Sequence, residues 1–148
     1  MIQKAPSNQA VIGRYILPKT IPRNLIFIST GTGIAPNLSL IRSAITDRKI
    51  NKNRITVIHG QRYAHEHIYH LEKILPGISV IKVISREHKI GFTKGYVQDQ
   101  IKKLDLPINE NLIFACGNPQ MINELYSKLS SMGLNNRNFK ADYFVPSG

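Results

Sequence analysis

The chain reads as an α/β protein: an open, doubly wound, mainly parallel five-stranded sheet with helices on both faces. Short apolar runs rich in β-branched residues alternate along the chain with segments whose apolar residues recur at helical spacing. The runs are continuous, as suits strands covered on both faces. If each helix returns the chain to a new parallel strand, ligands bind beyond the carboxyl ends of the strands.

Leu25 to Ser29 (LIFIS) predicts the first strand, and Leu38, Ile41 and Ile45 share one face of a helix over 36–45. Ile55 to His59 (ITVIH) predicts the second strand, followed by helical spacing at Ile68, Leu71, Ile74 and Leu75. Val80 to Ser85 (VIKVIS) is the third, with Val97, Ile101 and Leu104 on the helix after it. Leu112 to Cys116 (LIFAC) is the fourth, and Ile122, Leu125, Leu129 and Met132 give the last helix its apolar stripe. Phe139 to Val145 adds a final strand. Residues 1–23, with Pro6, Pro18 and Pro22 around a strand-like VIGRYIL, read as a lead-in, the end of a missing domain or a linker, and 24–148 as the domain proper.

Length supports one domain with a real core: 148 residues are enough for one and short for two. No run of 18 apolar residues could span a bilayer, and the N-terminus lacks the apolar stretch of a signal peptide, so a soluble, cytoplasmic protein is expected. The single cysteine, Cys116, cannot form an internal disulfide, which fits a reducing compartment. Twenty Lys and Arg against nine Asp and Glu give a surface attractive to phosphates, acidic proteins or nucleic acid. The basic residues are spread out, and no helix-turn-helix, zinc-finger or RNP-type motif accompanies them, so no nucleic-acid partner is expected; such a binder ranks last among the readings.

The stretch FISTGTGIAP, Phe27 to Pro36, runs a strand into Gly31-Thr32-Gly33 and then into a helix whose first turn suits Pro36. Free amides and a helix N-terminus meet a pyrophosphate in this geometry, although a purely structural glycine corner explains the isolated motif equally well. It departs from the G-x-G-x-x-G fingerprint, which needs glycine where Pro36 stands. The carboxylate that would bind a ribose 2′-hydroxyl after the second strand is replaced by His59-Gly60-Gln61-Arg62. Two further unusual sequences, Ser85-Arg86-Glu87 and Cys116-Gly117-Asn118-Pro119, also follow predicted strands. His65, His67 and His70 in HEHIYH do not make H-E-x-x-H, because Tyr69 stands where the second histidine belongs, and no metal site is expected.

The ordered set STGTGIAP (29–36), HGQR (59–62), SRE (85–87), KGYVQ (94–98) and CGNPQM (116–121) resembles the NADP(H)-binding domain of the ferredoxin/flavodoxin–NADP reductase superfamily over about residues 13–144. The resemblance implies a Rossmann-like nucleotide-binding domain at 24–148. Thr30, Gly31, Thr32 and Gly33 would wrap the pyrophosphate, with Pro36 opening the helix behind them. Ser85 and Arg86 would take the 2′-phosphate, Lys94 would add charge there, Tyr96 would lie against adenine, and Arg62 would supply another cation. A planar guanidinium, an ammonium and an aromatic face suit those tasks. With the ribose carboxylate missing, they favour NADP over NAD. Cys116 would sit near nicotinamide C4 and shape the site for hydride transfer without acting as a covalent nucleophile. Gly117 would permit close approach of the dinucleotide, and Asn118 and Pro119 would cap and open the last helix.

The resemblance also implies what is missing. The flavin domain with its R-x-Y-[ST] motif should precede this domain, and no such motif occurs here. FAD is therefore expected on a separate domain, in cis or in trans, and this chain alone would bind NADP(H) and do little else. An acidic ferredoxin or flavodoxin would be the electron partner. Either Tyr143 or Phe144 could cover the flavin, as the terminal tyrosine does in plant-type members. An NADH-dependent reductase component of an oxygenase is the nearest alternative, and a non-catalytic nucleotide-binding or interaction protein the alternative from another class.

Overall fold

The computed structural model describes residues 14–143. Phe144 and Val145, from the predicted last strand, lie outside them, as do Val11 to Gly13 of the predicted lead-in strand. The elements in order are β1 (Asn24–Thr30), α1 (Ile34–Thr46), β2 (Ile55–Gln61), α2 (Leu71–Ile74), β3 (Ser79–Ile84), β4 (Thr93–Lys94), β5 (Asn111–Gly117), α3 (Pro119–Ser131) and β6 (Phe139–Tyr143).

All strand pairs are parallel, in the order β4-β3-β2-β1-β5-β6. Alternate residues of the central strands face opposite sides. Leu25, Phe27, Ile55, Val57, Leu112 and Phe114 pack against α1 and α2. Ile26, Ile28, Ile58, Ile113 and Ala115 pack against α3 and the segment around Val97 and Ile101. The chain thus leaves β1 toward one face and β5 toward the other, so the gap between the carboxyl ends of these neighbours is the topological switch point.

The sheet has six strands where five were predicted. The addition is β4, whose two residues pair with Val83 and Ile84; two residues carry no periodicity to detect. Two predicted helices also shrink. Of Ile68, Leu71, Ile74 and Leu75, only Leu71 and Leu75 are buried, and α2 is a single turn stopped by Pro76 and Gly77. Val97 and Ile101 do enter the core, but the segment forms two 3-10 turns, Val97–Asp99 and Ile101–Leu104. It is bounded by Gly95 and a left-handed Asp105, too short a stretch to propagate an α-helix. Arg14 to Leu17 form no strand.

The lead-in still has a place. Tyr15, Leu17 and Ile21 pack on the α1 face of the core, with Tyr15 edge-on to Phe114 at 5.2 Å. Arg54 holds the backbone oxygens of Arg23 and Pro22 at 2.5 and 2.9 Å. No helix among the described residues is long and apolar enough to cross a membrane.

Leu125, fully buried in α3, anchors that helix to the sheet. Leu125→Ala is expected to lower unfolding free energy by about 2–5 kcal/mol in a urea titration, whereas Leu106→Ala, at a partly exposed position, should cost less than about 1 kcal/mol.

Candidate functional site

The switch point is closed by backbone packed on backbone. Gly31 to Gly33 form a 3-10 turn running directly into α1. A methyl group on Gly33 would lie 2.3 Å from the Cys116 carbonyl oxygen and 3.2 Å from its Sγ. Across the same junction, a methyl on Gly117 would lie 2.3 Å from Thr30 Oγ1 and 3.0 Å from Met121 Cε. Both glycines are therefore required by close approach, and the end of β5 is pressed against the turn leaving β1. Gly31, at φ +55, has open space where a side chain would stand. The open side at Gly31 beside the start of a 13-residue helix leaves room for a phosphate against backbone amides, so the turn fits a dinucleotide.

At the β5 exit, Asn118 caps α3 by accepting from the Met121 amide at 2.8 Å, and Pro119 occupies the first helical position. Pro36 lies in the first turn of α1, where its missing N–H leaves no gap.

Around the β1–β5 junction, the register sets one residue from each of five strands at one level: Lys82, His59, Ser29, Cys116 and Asp142. Ser29 Oγ lies 2.8 Å from His59 Nδ1, and the His59 ring stands edge-on to His67 at 5.2 Å. Burial, with His67 beside it, pushes the His59 pKa down to about 4, so the imidazole is neutral near pH 7. Cys116 is fully buried; burial, with Asp142 nearby, pushes its thiol up to about 11. That thiol is a poor nucleophile. Tyr15 donates to Asn37 Oδ1, and Asn37 donates in turn to the Ile28 carbonyl at 3.1 Å. Burial raises the Tyr15 pKa, so its hydroxyl stays a donor. Nothing in the motifs points to Tyr15, Asn37 or the coupling of Ser29 to His59; the available signal is a histidine closing an otherwise apolar strand.

The predicted cations collect at the outer strand ends. The Ser85 and Arg86 amides donate to the Gln61 and Arg62 carbonyls at 3.2 and 2.9 Å, continuing the β2–β3 pairing past the strands. The Gly95 amide donates to the Ile84 carbonyl at 2.9 Å, and Lys94 pairs with Ile84 in the register of β3 and β4. Arg62, Arg86, Lys94 and Tyr96 are all exposed. Arg62 pairs with Glu66 at 3.2 Å; no acid among the described residues pairs with Arg86 or Lys94. Tyr143 ends β6 opposite Gly117 and donates its hydroxyl to Asn123 of α3 at 2.9 Å.

The histidine cluster disperses. His65 stacks on Tyr63, His67 Nε2 meets the Val83 carbonyl at 2.9 Å, and His70 precedes α2. No group of three His, Cys, Asp or Glu among the described residues could hold a metal.

The fold defines the class: a doubly wound α/β domain with its topological switch point between β1 and β5. The family described as oxidoreductase NAD-binding domain matches residues 27–126. Among similar proteins, a flavodoxin/ferredoxin–NADP reductase from Buchnera aphidicola (subsp. Schizaphis graminum) is 33% identical over 119 residues, covering 70% of this chain and 45% of its own length. A 2-halobenzoate 1,2-dioxygenase electron transfer component from Burkholderia cepacia is 26% identical over 131 residues, covering 84% and 38%. A cytochrome P450 reductase from Amycolatopsis shares the fold at TM-score 0.78 and 22% identity, over 91% of this chain and 42% of that one. The chain belongs to the oxidoreductase NAD-binding domain family and corresponds to the NAD-binding part of ferredoxin–NADP reductase-type proteins. It spans less than half the length of the relatives just described.

Gly33→Ala drives a methyl into backbone and should destabilise by more than about 2 kcal/mol in chemical denaturation, while Gly31→Ala meets only backbone strain of about 1–2 kcal/mol. A pH series offers a second check. The unfolded chain takes up a proton at an ordinary histidine as pH falls below 6.5, whereas folded His59 resists until about 4. Stability is thus lost as pH drops through that window, by up to about 3 kcal/mol. His59→Gln should flatten the slope there.

Proposed function

We propose that this chain is the NADP(H)-binding half of a flavin-dependent reductase, positioning nicotinamide for hydride transfer to or from FAD, with electrons passing onward to an acidic ferredoxin or flavodoxin. The observation that carries the reading is the junction of Gly31–Gly33 with Cys116–Gly117, flanked by exposed Arg86 and Lys94 at neighbouring strand ends.

Thr30 to Gly33 would hold the pyrophosphate against backbone amides, and Pro36 lies in the first turn of the helix behind them. Ser85, Arg86 and Lys94 receive the 2′-phosphate: the guanidinium bonds it in a planar fork, and the ammonium adds a point charge. Tyr96 supplies an aromatic face for adenine, and Arg62 a further cation. A bound nicotinamide would supply or take up the hydride exchanged with a flavin held on another domain. Cys116, neutral and pinned by Gly33, limits how deep the nicotinamide edge can settle, while Gly117, Asn118 and Pro119 shape the opposite wall. Catalysis here is positioning of one cofactor against another, so the chain alone is inactive as a reductase and needs a flavin-binding domain in cis or in trans.

A second reading, the NADH-dependent reductase component of an oxygenase, is favoured by the Arg62–Glu66 pair, which already neutralises one of the cations. Calorimetric titration separates the two. Arg86→Ala should weaken NADP binding about tenfold to hundredfold and change NAD binding by less than about twofold. Equal, small effects on both nucleotides favour the NADH-dependent reading.

A further inference from the structure

β2 and β3 stay paired beyond the point where the strands end. The Ser85 and Arg86 amides keep to the Gln61 and Arg62 carbonyls, so the ladder runs on past Ile84 and sets the backbone of Arg86 beside that of Arg62. The residues after it, His88 to Gly91, are all exposed.

Glu87 closes this extension. Its Oε2 accepts from the Ala64 amide at 2.6 Å, a bond between segments 23 residues apart in sequence. The neighbouring Tyr63 amide donates to Glu66 Oε1 at 3.0 Å, and Glu66 Oε2 meets Arg62 at 3.2 Å. Two successive amides at the start of the 3-10 turn Ala64–Glu66 are thus accepted by two carboxylates, one from within the turn and one from the β3 side. Such bonds are charge-assisted and stronger than their neutral counterparts. Of the two acids, only Glu87 joins the segment that carries Arg62 to the segment that carries Arg86. A further tie, His67 Nε2 to the Val83 carbonyl at 2.9 Å, falls within β3 and stops short of Arg86.

By charge alone an acid is unfavourable at this place: a carboxylate next in sequence to Arg86 would repel a phosphate held by that arginine. What it supplies instead is order, because a guanidinium on a fixed backbone loses less freedom when it binds. We propose that Glu87 is a positioning residue for NADP recognition: by accepting from the Ala64 amide it holds the Arg86 backbone against that of Arg62, so that both guanidinium groups extend from one fixed platform. The inference rests on the reading of Ser85 and Arg86 as the 2′-phosphate site.

The experiment is calorimetric titration of the 148-residue chain with NADP and with NAD, for the unaltered protein, Glu87→Gln, Glu87→Ala and Ala64→Pro, with amide exchange measured on ¹⁵N-labelled samples of each. The glutamine keeps an oxygen for the Ala64 amide and removes the charge, whereas the alanine removes both. Ala64→Pro deletes the donor and keeps the charge, and Tyr63 at φ −130, ψ 154 already has the extended backbone that precedes a proline. Glu87→Ala and Ala64→Pro should each weaken NADP about threefold to tenfold and leave NAD within about twofold, while Glu87→Gln should weaken neither by more than about twofold. Exchange at the Arg86 amide should quicken about tenfold in Glu87→Ala and Ala64→Pro and not in Glu87→Gln. Should one of the two disruptive variants fail to fold, the other carries the comparison. Tighter NADP binding in both Glu87 variants, the signature of simple repulsion, overturns the proposal. Equal weakening of both nucleotides, the signature of a merely structural tie, overturns it too, as does Glu87→Gln no better than Glu87→Ala. An NADP preference that Glu87→Ala leaves intact overturns the inference alone; an unaltered chain without that preference overturns the 2′-phosphate reading and the inference with it.

Discussion

The contact between Gly33 and the Cys116 backbone is the constraint on which the rest of the site depends. Parallel neighbours that send their helices to opposite faces leave a crevice by topology alone, and its width is set by how closely the two exits approach. Here a single Cβ would collide with a carbonyl, and on the reciprocal side Gly117 packs against the Thr30 hydroxyl and amide. The turn after β1, the thiol at the end of β5 and the capped start of α3 are consequently packed into one body. A dinucleotide laid along that body would meet amides, thiol and helix start at fixed separations, the preorganisation a hydride donor needs.

Charge is distributed to match. The level of the sheet just beneath the crevice is polar yet held neutral at its centre: His59 is kept deprotonated by burial, Cys116 is kept as a thiol, and Ser29 joins His59 to β1. Excess positive charge is pushed outward to the ends of β2, β3 and β4, where Arg62, Arg86 and Lys94 are solvated. On the proposed reading, a 2′-phosphate and a nicotinamide would meet different dielectric surroundings, with strong screening at one end and little at the other.

The central strands were legible because four continuous apolar runs bounded by glycine, serine or asparagine leave few alternatives, and the 13-residue helices α1 and α3 were legible because full stripes of buried residues repeat along them. Failures cluster where elements are a turn or less. Val97 and Ile101 have the right spacing and burial but sit on 3-10 turns, because spacing records which residues face the core and not the hydrogen bonds between them. The motif residues at the strand ends were readable one by one. Their convergence was not, since the adjacency of Arg86 to Arg62 and of Lys94 to Ile84 comes from strand order and register. Tyr15 and Asn37 were invisible for a related reason: a hydrogen bond spanning 22 residues leaves no local pattern.

The most direct test of the account is a chemical-shift map of the ¹⁵N-labelled chain titrated with NADP. Saturable changes are expected, centred on the amides of Gly31, Thr32, Gly33 and Gly117, extending to Ser85 and Arg86 and leaving the opposite end of the sheet unmoved. Saturable shifts centred elsewhere, or none at the glycine turn when NADP is in excess, would contradict it.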